Sequence, residues 1–432
     1  MVEHKPRFVG TVLAVCLVAT GGFSDDESLE GKIITEVQIL GLSYTKENVV
    51  DRELASRVGV PFSERNLQKD AERLDRLRIF SSIQTRPVAV EGGVRVEIEV
   101  RETFPYMPTI SIQVNDENGV SAGPGFKSPN FLGRGIELGG AAQFGGSTNF
   151  DAYFVAPWVT GNHVSFETRY QHRDRPNELD HFQEVANDLS GRFGTFIGES
   201  GRLGLMVGYA TVHSDRDGIT FSPDNQDEIP SLGVYAGYDT RDLWSRPGEG
   251  WRNEVDLTRS NVRETEGAFW TSNLDFRRYQ TWHERHTLLL TSLTTLQSGV
   301  VGEDIPVYED FHIGGTNTIR GWPLDARSGK NQFINTVEYR YLLAEPRPFS
   351  LSFFTAYIGL QFAAFADFGH AWNEPNDFAL NQFIGGYGAG LRILIPFVDE
   401  VRVDVAWGAP GEGIRFHFGL YPKVLMQRQR VR

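Results

Sequence analysis

The stretch VRVDVAW (401–407) alternates between bulky apolar residues and charged or small ones. Successive side chains of a β-strand point to opposite faces, so one face of this segment would be entirely apolar. That face carries Val401, Val403, Val405 and Trp407. The other face carries Arg402, Asp404 and Ala406. An apolar face opposite a charged face is typical of a membrane barrel, whose wall has lipid on one side and a polar lumen on the other.

The same alternation recurs between residues 106 and 421. In GIRFHFGL (413–420) the apolar face carries Ile414, Phe416, Phe418 and Leu420. In NTVEYRYLL (335–343) the alternating residues are Val337, Glu338, Tyr339, Arg340 and Tyr341. Tryptophans at segment ends suggest aromatic girdles; they are Trp158, Trp251, Trp282, Trp322 and Trp407. Counting the segments predicts an all-β transmembrane barrel of about sixteen antiparallel strands over residues 106–421.

Composition agrees with a protein rich in strands and turns. The chain has 46 glycines, 12% aromatic residues and a mean hydropathy of −0.31. No run reaches the roughly 18 apolar residues of a membrane helix, but averaged hydropathy does not detect barrel strands. A formal net charge of −14 argues against nucleic acid as a partner. The alternative is a large soluble β-sandwich, whose strands would also alternate.

The N-terminus has the pattern of a secretory signal. Lys5 and Arg7 precede an apolar run from Phe8 to Ala19, followed by small residues to Gly22. We therefore predict a signal peptide over residues 1–22 and an outer membrane of the Gram-negative type as the destination of the barrel. The only cysteine, Cys16, lies within this signal. A lipoprotein signal ending at Cys16 is the alternative.

Residues 31–103 have mixed periodicity and predict a small α+β domain of order β-α-α-β-β. KIITEVQILG (32–41) favours a strand. Thr45 is predicted to cap a helix that runs to Val58, and Ser63 to cap a second helix. Two strands, 80–90 and 94–100, complete the domain. The second alternates, with Val94, Val96, Ile98 and Val100 on one face.

A periplasmic N-terminal domain would set the direction of every connection in the barrel. Odd-numbered connections would then face outside, and we expect them to be the long ones. They include RDRPNELD (173–180) and SDRDGITFSPDNQDE (214–228), whereas TGN (160–162) and GESG (198–201) would be short inner turns. The glycine-rich FHIGGTNTIRGWPLDARSG (311–329) would join the eleventh and twelfth strands on the outer side.

Several stretches, in order, resemble the BamA/TamA family of outer-membrane assembly factors. GG-x-x-x-I-R-G-W (314–322) is similar to the arginine-glycine-aromatic tip of that family's sixth extracellular loop. FADFGHAW (365–372) resembles its F-x-D-x-G strand, SPNFLGRG (128–135) an early barrel turn, and GIRFHFGL its closing strand. YDTRDLWSRPGEGW (238–251) resembles a turn of the family through Asp239, Arg241, Asp242, Pro247 and Gly250. Residues 31–103 resemble its polypeptide-transport-associated (POTRA) domain through Gly41, Gly59, Phe80 and Glu102.

The resemblance implies that the glycine-rich loop folds back into the lumen and that its arginine meets an acid on a strand. Arg320 keeps its charge, so in a lumen it needs a carboxylate partner. Asp367 and Glu338 face the lumen by parity, so we predict that Arg320 pairs with Asp367, with Glu338 nearby. The predicted site comprises Gly314, Gly315, Arg320, Gly321, Trp322, Asp367 and Glu338. The alternative is an ordinary solvated loop arginine.

The resemblance also implies a function in outer-membrane protein assembly or polypeptide translocation. Expected partners are unfolded outer-membrane or secreted polypeptides, the lipid bilayer and accessory periplasmic or lipoprotein subunits. A weak seam between the first and last strands would be lined by Ile110, Ile112, Ile414, Phe416 and Phe418. Alternatives are a dedicated secretion transporter, a plugged passive pore and lipid transport. Two departures stand out: there is room for only one POTRA domain, and residues 422–432 form a basic tail that we expect in the periplasm.

We expect no enzymatic activity, cofactor or metal. GVSAG (119–123) matches a nucleophile motif but falls in a predicted strand, without the helix that such a site needs. Gly386, Gly388 and Gly390 open no helix, so a dinucleotide site is not expected. The histidines lack metal-ligand spacing. Five acids in one outer loop favour a solvated acidic loop over a weak Ca²⁺ site; they are Asp215, Asp217, Asp224, Asp227 and Glu228.

Overall fold

The structure is a computed structural model that describes residues 29–77, 79–160, 164–242, 247–351, 354–395, 398–411 and 413–421. The predicted signal peptide (1–22) and basic tail (422–432) lie outside the described residues. Within those residues, no helix is both long and apolar enough to cross a membrane.

The N-terminal domain has the predicted order β-α-α-β-β. Its elements are β1 (Ile34–Leu40), α1 (Glu47–Asp51), α2 (Glu64–Arg76), β2 (Phe80–Val90) and β3 (Gly93–Glu102). The sheet order is β1-β3-β2, with β1 parallel and β2 antiparallel to β3. The predicted apolar face of β3 is buried against Leu67 and Leu74 of α2, in one core with Val49 and Val50 of α1. The apolar face of β3 and the apolar stripe of α2 therefore form much of the core of this domain.

The first helix is shorter than predicted. It has five residues, its N-cap is Lys46, and the predicted helix from Thr45 to Val58 is wrong. Thr45 has a different role: its backbone N–H donates to Glu102 Oε1 at 2.6 Å, and its hydroxyl accepts a hydrogen bond from Asn130 of the barrel at 2.8 Å. Ser63 occupies the predicted N-cap position of α2 but makes no side-chain cap bond.

The barrel is a sheet of sixteen strands in sequence order, as predicted. The first eleven are β4 (Met107–Asn115), β5 (Gly119–Phe131), β6 (Ile136–Gly145), β7 (Thr148–Thr160), β8 (Val164–Asn177), β9 (Phe182–Ile197), β10 (Gly201–Ser214), β11 (Gln226–Asp239), β12 (Gly250–Asn261), β13 (Ala268–Trp282) and β14 (His286–Gln297). A long loop follows, with a short hairpin of β15 (Phe311–Ile313) and β16 (Arg327–Gly329). The last five barrel strands are β17 (Asn331–Leu351), β18 (Phe354–Trp372), β19 (Ile384–Ile395), β20 (Val398–Trp407) and β21 (Arg415–Tyr421). Three 3-10 turns lie at Val307–Glu309, Pro375–Asp377 and Leu380–Gln382.

Side chains alternate across the barrel wall as predicted. On β17, Val337 is 48% exposed on the outside, whereas the adjacent Glu338 is 3% exposed and faces the lumen. Leu203, Leu205 and Val207 are likewise exposed on β10. An exposed apolar outside around a charged inside is the arrangement that suits lipid and excludes the soluble β-sandwich.

Connection lengths follow the predicted asymmetry only in part, because the outer connections 116–118 and 146–147 are as short as the inner turns. The long connections 215–225, 298–330 and 373–383 share one end of the barrel, and short turns such as 198–200 and 283–285 share the other. The predicted loop 173–180 is wrong, because β8 continues to Asn177 and β9 begins at Phe182. The connection 240–249 is long for the short-turn end.

The two ends of the sheet, β4 and β21, meet at a seam. In the described strands, β4 is paired only with β5 and β21 only with β20, so no ladder joins the two edges. β21 begins at Arg415, so the predicted strand residue Ile414 lies just before it. Ile110, Phe416 and Phe418 face outward and are 74%, 66% and 54% exposed. Ile112 shares the outward parity of Ile110 and is partly buried.

The N-terminal domain docks on the barrel through the predicted early turn, SPNFLGRG. The backbone N–H of Lys46 donates to Gly133 O at 2.7 Å. Gly133 has φ +68°, and a Cβ there would lie 2.1 Å from Tyr44 O, so only glycine allows this approach. Trp158 donates from Nε1 to Glu53 at 3.1 Å and thus contacts the domain instead of joining the predicted girdle.

Glu102, in the N-terminal domain, fixes residues 43–45, which lie next to the contact with the barrel. Its carboxylate accepts backbone N–H bonds from Ser43, Tyr44 and Thr45 at 3.1, 2.9 and 2.6 Å. Burial alone would raise the pKa of Glu102, but hydrogen bonds from Ser43 and Thr45 outweigh it and lower the pKa to about 2. The folded pKa lies below the unfolded value of about 4.3. Its stabilisation is therefore present above that pH and is lost as the pH falls towards 2.

We predict that Glu102→Gln loosens residues 43–45. At pH 7 their amide protons should exchange about fivefold faster, equivalent to about 1 kcal/mol after allowance for solvent screening. The difference from wild type should shrink as the pH falls from about 4.3 towards 2. Hydrogen exchange of the full-length protein measures this. Glu99→Gln, on the exposed side of β3, is the matched control. Equal exchange at pH 7, or a difference that persists at pH 2, would contradict the role of the charge.

Candidate functional site

The loop 298–330 folds back into the barrel, as expected. Ile313 and Ile319 are fully buried, and they pack in one apolar cluster with Ile334 of β17 and Ile384 of β19. Arg320 follows this apolar contact directly and is 3% exposed. The alternative of a solvated loop arginine is therefore wrong.

Arg320 makes the predicted pair with Asp367. Its Nε and Nη2 donate to the two carboxylate oxygens at 2.7 and 2.8 Å, and its backbone N–H donates to Oδ2 at 3.1 Å. Glu338 lies nearby, as predicted, and accepts from Nη1 at 3.2 Å. The guanidinium carbon lies 3.3 Å from the ring centroid of Phe365. The planar guanidinium group donates to both oxygens of one carboxylate. A lysine ammonium group lacks this planar pair of donors, so lysine would not be equivalent here.

Four charged members of the site are absent from the predicted set: Arg340, Arg392, Arg402 and Asp404. Asp404 of β20 accepts from Arg320 Nη1 at 2.9 Å. Arg392 of β19 donates to Glu338 at 2.8 Å and also to Asp404, and both Arg392 and Asp404 are fully buried. Parity already placed Asp404 in the lumen, but alternation cannot show which lumen residues of non-adjacent strands meet.

The complete cluster joins four arginines to three acids in the described lumen. Its members are Arg320, Arg340, Arg392, Arg402, Glu338, Asp367 and Asp404. The acids come from β17, β18 and β20, so one loop side chain ties three strands together. Each buried charge has a partner of opposite sign, which offsets the cost of removing it from water.

Glycines make room for the loop on both sides of the contact. Gly314, Gly315 and Gly321 all have positive φ, as the predicted tight bend requires. Gly386 of β19 lies against the loop, and a Cβ there would fall 1.8 Å from Arg320 O. A Cβ at Gly390 would fall 2.0 Å from Asp404 Oδ1. The G-x-G-x-G pattern of β19 thus leaves the space that the loop and Asp404 occupy. The pattern lies on a strand, as predicted.

Trp322 belongs to this site and not to the aromatic girdle. Its Nε1 donates to Gly385 O at 2.8 Å, and its ring packs beside Ile313 and Ile319. The prediction of a girdle position for Trp322 is wrong, because the loop carries it inside. Trp251, Trp282 and Trp407 are each about two-fifths exposed at strand ends, as predicted.

The turn that resembles the family between β11 and β12 is held by its own contacts, and its Asp242 and Pro247 line one cavity with Arg340 of the cluster. Arg241 pairs with Asp239 at 2.6 Å, and Asp242 accepts the backbone N–H of Gly248, next to Pro247, at 2.9 Å. Gly250, at φ +107°, would place a Cβ 2.2 Å from Thr240 O. These contacts fix the two ends of the long connection 240–249 at the short-turn end of the barrel.

The other candidate motifs show no assembled chemistry. Asp227 is buried and accepts from Tyr308 at 2.7 Å, so the expectation of a wholly solvated acidic loop is wrong for this residue. Among the described residues, no group of three or more His, Cys, Asp or Glu could hold a metal. GVSAG lies in β5, as predicted.

We predict strong coupling between Arg320 and Asp367. Arg320→Ala or Asp367→Ala should each lower the free energy of unfolding by up to about 3 kcal/mol, because each leaves a buried charge with fewer partners. The double variant should be no less stable than the worse single variant. Thermal unfolding in detergent micelles, analysed as a double-mutant cycle, measures this. Arg192→Ala, which breaks a remote lumen pair with Glu254, is the control for general lumen damage. Additive losses would show that the pair does not interact energetically.

We also predict that Gly386→Ala displaces the loop whereas Gly385→Ala does not. The added Cβ meets Arg320 O at 1.8 Å in the first variant, but its nearest atom in the second is Asp367 O at 3.7 Å. Limited proteolysis within 298–330 should become faster only for Gly386→Ala. Equal protection of both variants would overturn the assignment of Gly386 as the residue that leaves space for the loop.

Comparison with known proteins gives the same architecture. The Omp85 superfamily domain matches residues 130–420, and the POTRA family, described as a surface antigen variable number repeat, matches residues 32–103. The outer membrane protein assembly factor BamA of Nitratidesulfovibrio vulgaris (strain Hildenborough) is 24% identical over 417 residues, 89% of this chain and 48% of that protein. BamA of Neisseria meningitidis serogroup B is 24% identical over 439 residues, 90% of this chain and 54% of that protein. The chain thus spans about half the length of these curated relatives.

Solved structures share the fold at low sequence identity. BamA from Haemophilus ducreyi lacking POTRA domains 1–3 has a TM-score of 0.61 and 15% identity, covering 90% of this chain and 83% of that one. CdiB from Acinetobacter baumannii has a TM-score of 0.58 and 12% identity, covering 91% and 73%. With a sixteen-stranded barrel, a POTRA domain and a family match over most of its length, this chain belongs to the Omp85 superfamily of bacterial outer-membrane proteins.

Proposed function

We propose that this protein is an outer-membrane protein assembly and insertion factor, acting on unfolded polypeptides through strand pairing. The observation that carries the proposal is the seam: in the described strands, β4 and β21 meet without a ladder between them. An edge strand presents unpaired N–H and C=O groups that template another strand. The relatives named as assembly factors support this choice, although the chain spans only about half of their length.

The N-terminal domain supplies a second place for strand addition. In its order β1-β3-β2, β2 has one edge without a partner strand within the described sheet, whereas the start of β1 is already hydrogen-bonded to residues 59–62. An extended client segment can add to such an edge through main-chain hydrogen bonds. The domain sits at the short-turn end of the barrel, which we assign to the periplasm, so a client would meet it before the seam. Accessory periplasmic or lipoprotein subunits would bind at the same end.

The proposed action is physical and involves no bond-making chemistry, nucleotide or metal. Its driving force is the pairing of client backbone groups and their transfer into lipid, where unpaired groups are costly. The buried ion pairs that hold the loop in the lumen favour this reading over a passive pore, which would have to break them before conducting.

Dedicated secretion of one partner protein is the second candidate function, because pairing of an unfolded polypeptide with the edge strands of the seam would serve translocation as well as insertion. Depletion of the protein followed by a census of outer-membrane and secreted proteins separates the two. A broad loss of barrel proteins supports assembly, and loss of a single secreted protein supports a dedicated transporter. An unchanged outer membrane and secretome would refute both.

We predict that locking the seam abolishes complementation of the depleted strain. Ile112→Cys combined with Phe416→Cys or Phe418→Cys, in a Cys16→Ala background, should cross-link where the Cα atoms lie within about 7 Å. The oxidised protein should lose activity and the reduced protein should regain it. Each single-cysteine variant is the control for the substitution itself. Full activity of a verified cross-linked form would exclude seam opening while leaving the barrel assignment intact.

A further inference from the structure

The lumen loop also contacts both edges of the seam, through Thr316. Asp116 follows directly after β4, and its Oδ1 accepts from Thr316 Oγ1 at 2.7 Å, while its Oδ2 accepts from the backbone N–H of Thr316 at 2.5 Å. On the other edge, His417 of β21 places Nδ1 3.0 Å from the same hydroxyl oxygen. Thr316 and His417 are almost completely buried. One hydroxyl group thus bridges two strands that share no ladder in the described barrel.

The neighbouring contacts fix the direction of each hydrogen bond. The backbone N–H of Gly321 donates to His417 Nε2 at 2.9 Å, so Nε2 is an acceptor. A neutral imidazole that accepts at one nitrogen carries its proton on the other. Nδ1–H of His417 therefore donates to Thr316, and the Thr316 hydroxyl donates to Asp116. These hydrogen bonds form a continuous series across the seam, in which each N–H or O–H group donates one hydrogen bond.

Apart from Tyr308, which donates to Asp227 on the far wall, the charged anchors of the loop lie on one side of the seam. Glu338, Asp367 and Asp404 belong to β17, β18 and β20, all on the β21 side. Arg402 of β20 also donates from Nη2 to Thr316 O at 2.6 Å. The bond to Asp116 crosses to the β4 side. Gly315 allows that crossing, because a Cβ there would lie 2.4 Å from Asp116 Oδ2.

We propose that Asp116, Thr316 and His417 form a clasp through which the lumen loop holds the two edge strands together. The clasp takes the place of the missing ladder at the outer end of the seam. Separation of β4 from β21 then requires that the loop release Asp116, so loop position and seam opening are linked. The clasp rests on the contacts alone; its use as a gate rests on the proposed assembly function.

Thr316→Val tests the clasp, because it removes the hydroxyl at almost unchanged shape. Thr316→Ser keeps the hydroxyl and is the matched control. In the full-length protein in lipid nanodiscs, amide exchange of β4 and β21 should accelerate about threefold to tenfold for Thr316→Val, the effect of losing one or two hydrogen bonds. Exchange of β10 and β11, on the far wall, should not change. Asp116→Ala should give the same pattern while β17 and β18 keep their protection.

Two outcomes would overturn the proposal. One is wild-type exchange at both edges in Thr316→Val and also in Asp116→Ala, which in addition removes the acceptor of the residue 316 backbone N–H. The other is faster exchange that includes β17 and β18, which would mean that the loop had left its ion-pair site and that Thr316 only supports loop folding. The exchange measurement needs no client. If amide exchange of β4 and β21 becomes faster but depletion of the protein leaves the outer membrane unchanged, the clasp is supported and the proposed function is refuted.

Discussion

The fixed charge of Arg320 is the constraint on which the barrel interior depends. A guanidinium cannot lose its proton in a protein, so once the loop carries it into the lumen, carboxylates must be present to receive it. Those carboxylates come from β17, β18 and β20. Arg340, Arg392 and Arg402 pair with Glu338 and Asp404 and offset the negative charge that Arg320 leaves. Burying the network is costly, and its value lies in specificity: few other positions of the loop would pair every charge.

The same loop explains the small residues of the C-terminal strands. β19 approaches the loop so closely that a side chain at Gly386 would overlap the Arg320 carbonyl, and Gly390 leaves space for the Asp404 carboxylate. A strand rich in glycine pairs less well and packs less surface. The glycines that make room for the loop therefore weaken the pairing of the C-terminal strands. The loop stabilises the same strands by binding their side chains from inside the barrel.

At each end of the barrel, hydrogen bonds thus join parts of the chain that no β-ladder connects. At the outer end, the lumen loop contacts both edges of the seam. At the other end, residues 43–53 of the N-terminal domain bind the turn after β5 and the tryptophan of β7, and Glu102 holds that segment in shape. Because β4 follows Glu102 after a short link, the position of the domain and the position of the first edge strand are mechanically connected.

Residue alternation by itself determined the strand number, the lumen parity of Glu338, Asp367 and Asp404, and the side of the barrel on which the long loop begins. Those properties are local, since a period of two assigns each side chain to a face. The pair of Arg320 with Asp367 came from the family resemblance together with that parity. Tertiary structure alone decided that Asp404 and Arg392 complete the cluster, that Trp322 lies inside, and that Thr45 serves docking instead of capping. Parity gives a face but neither the height along the barrel nor the stagger between non-adjacent strands. Which lumen residues meet is therefore decided only when the whole sheet curls and the loop enters it.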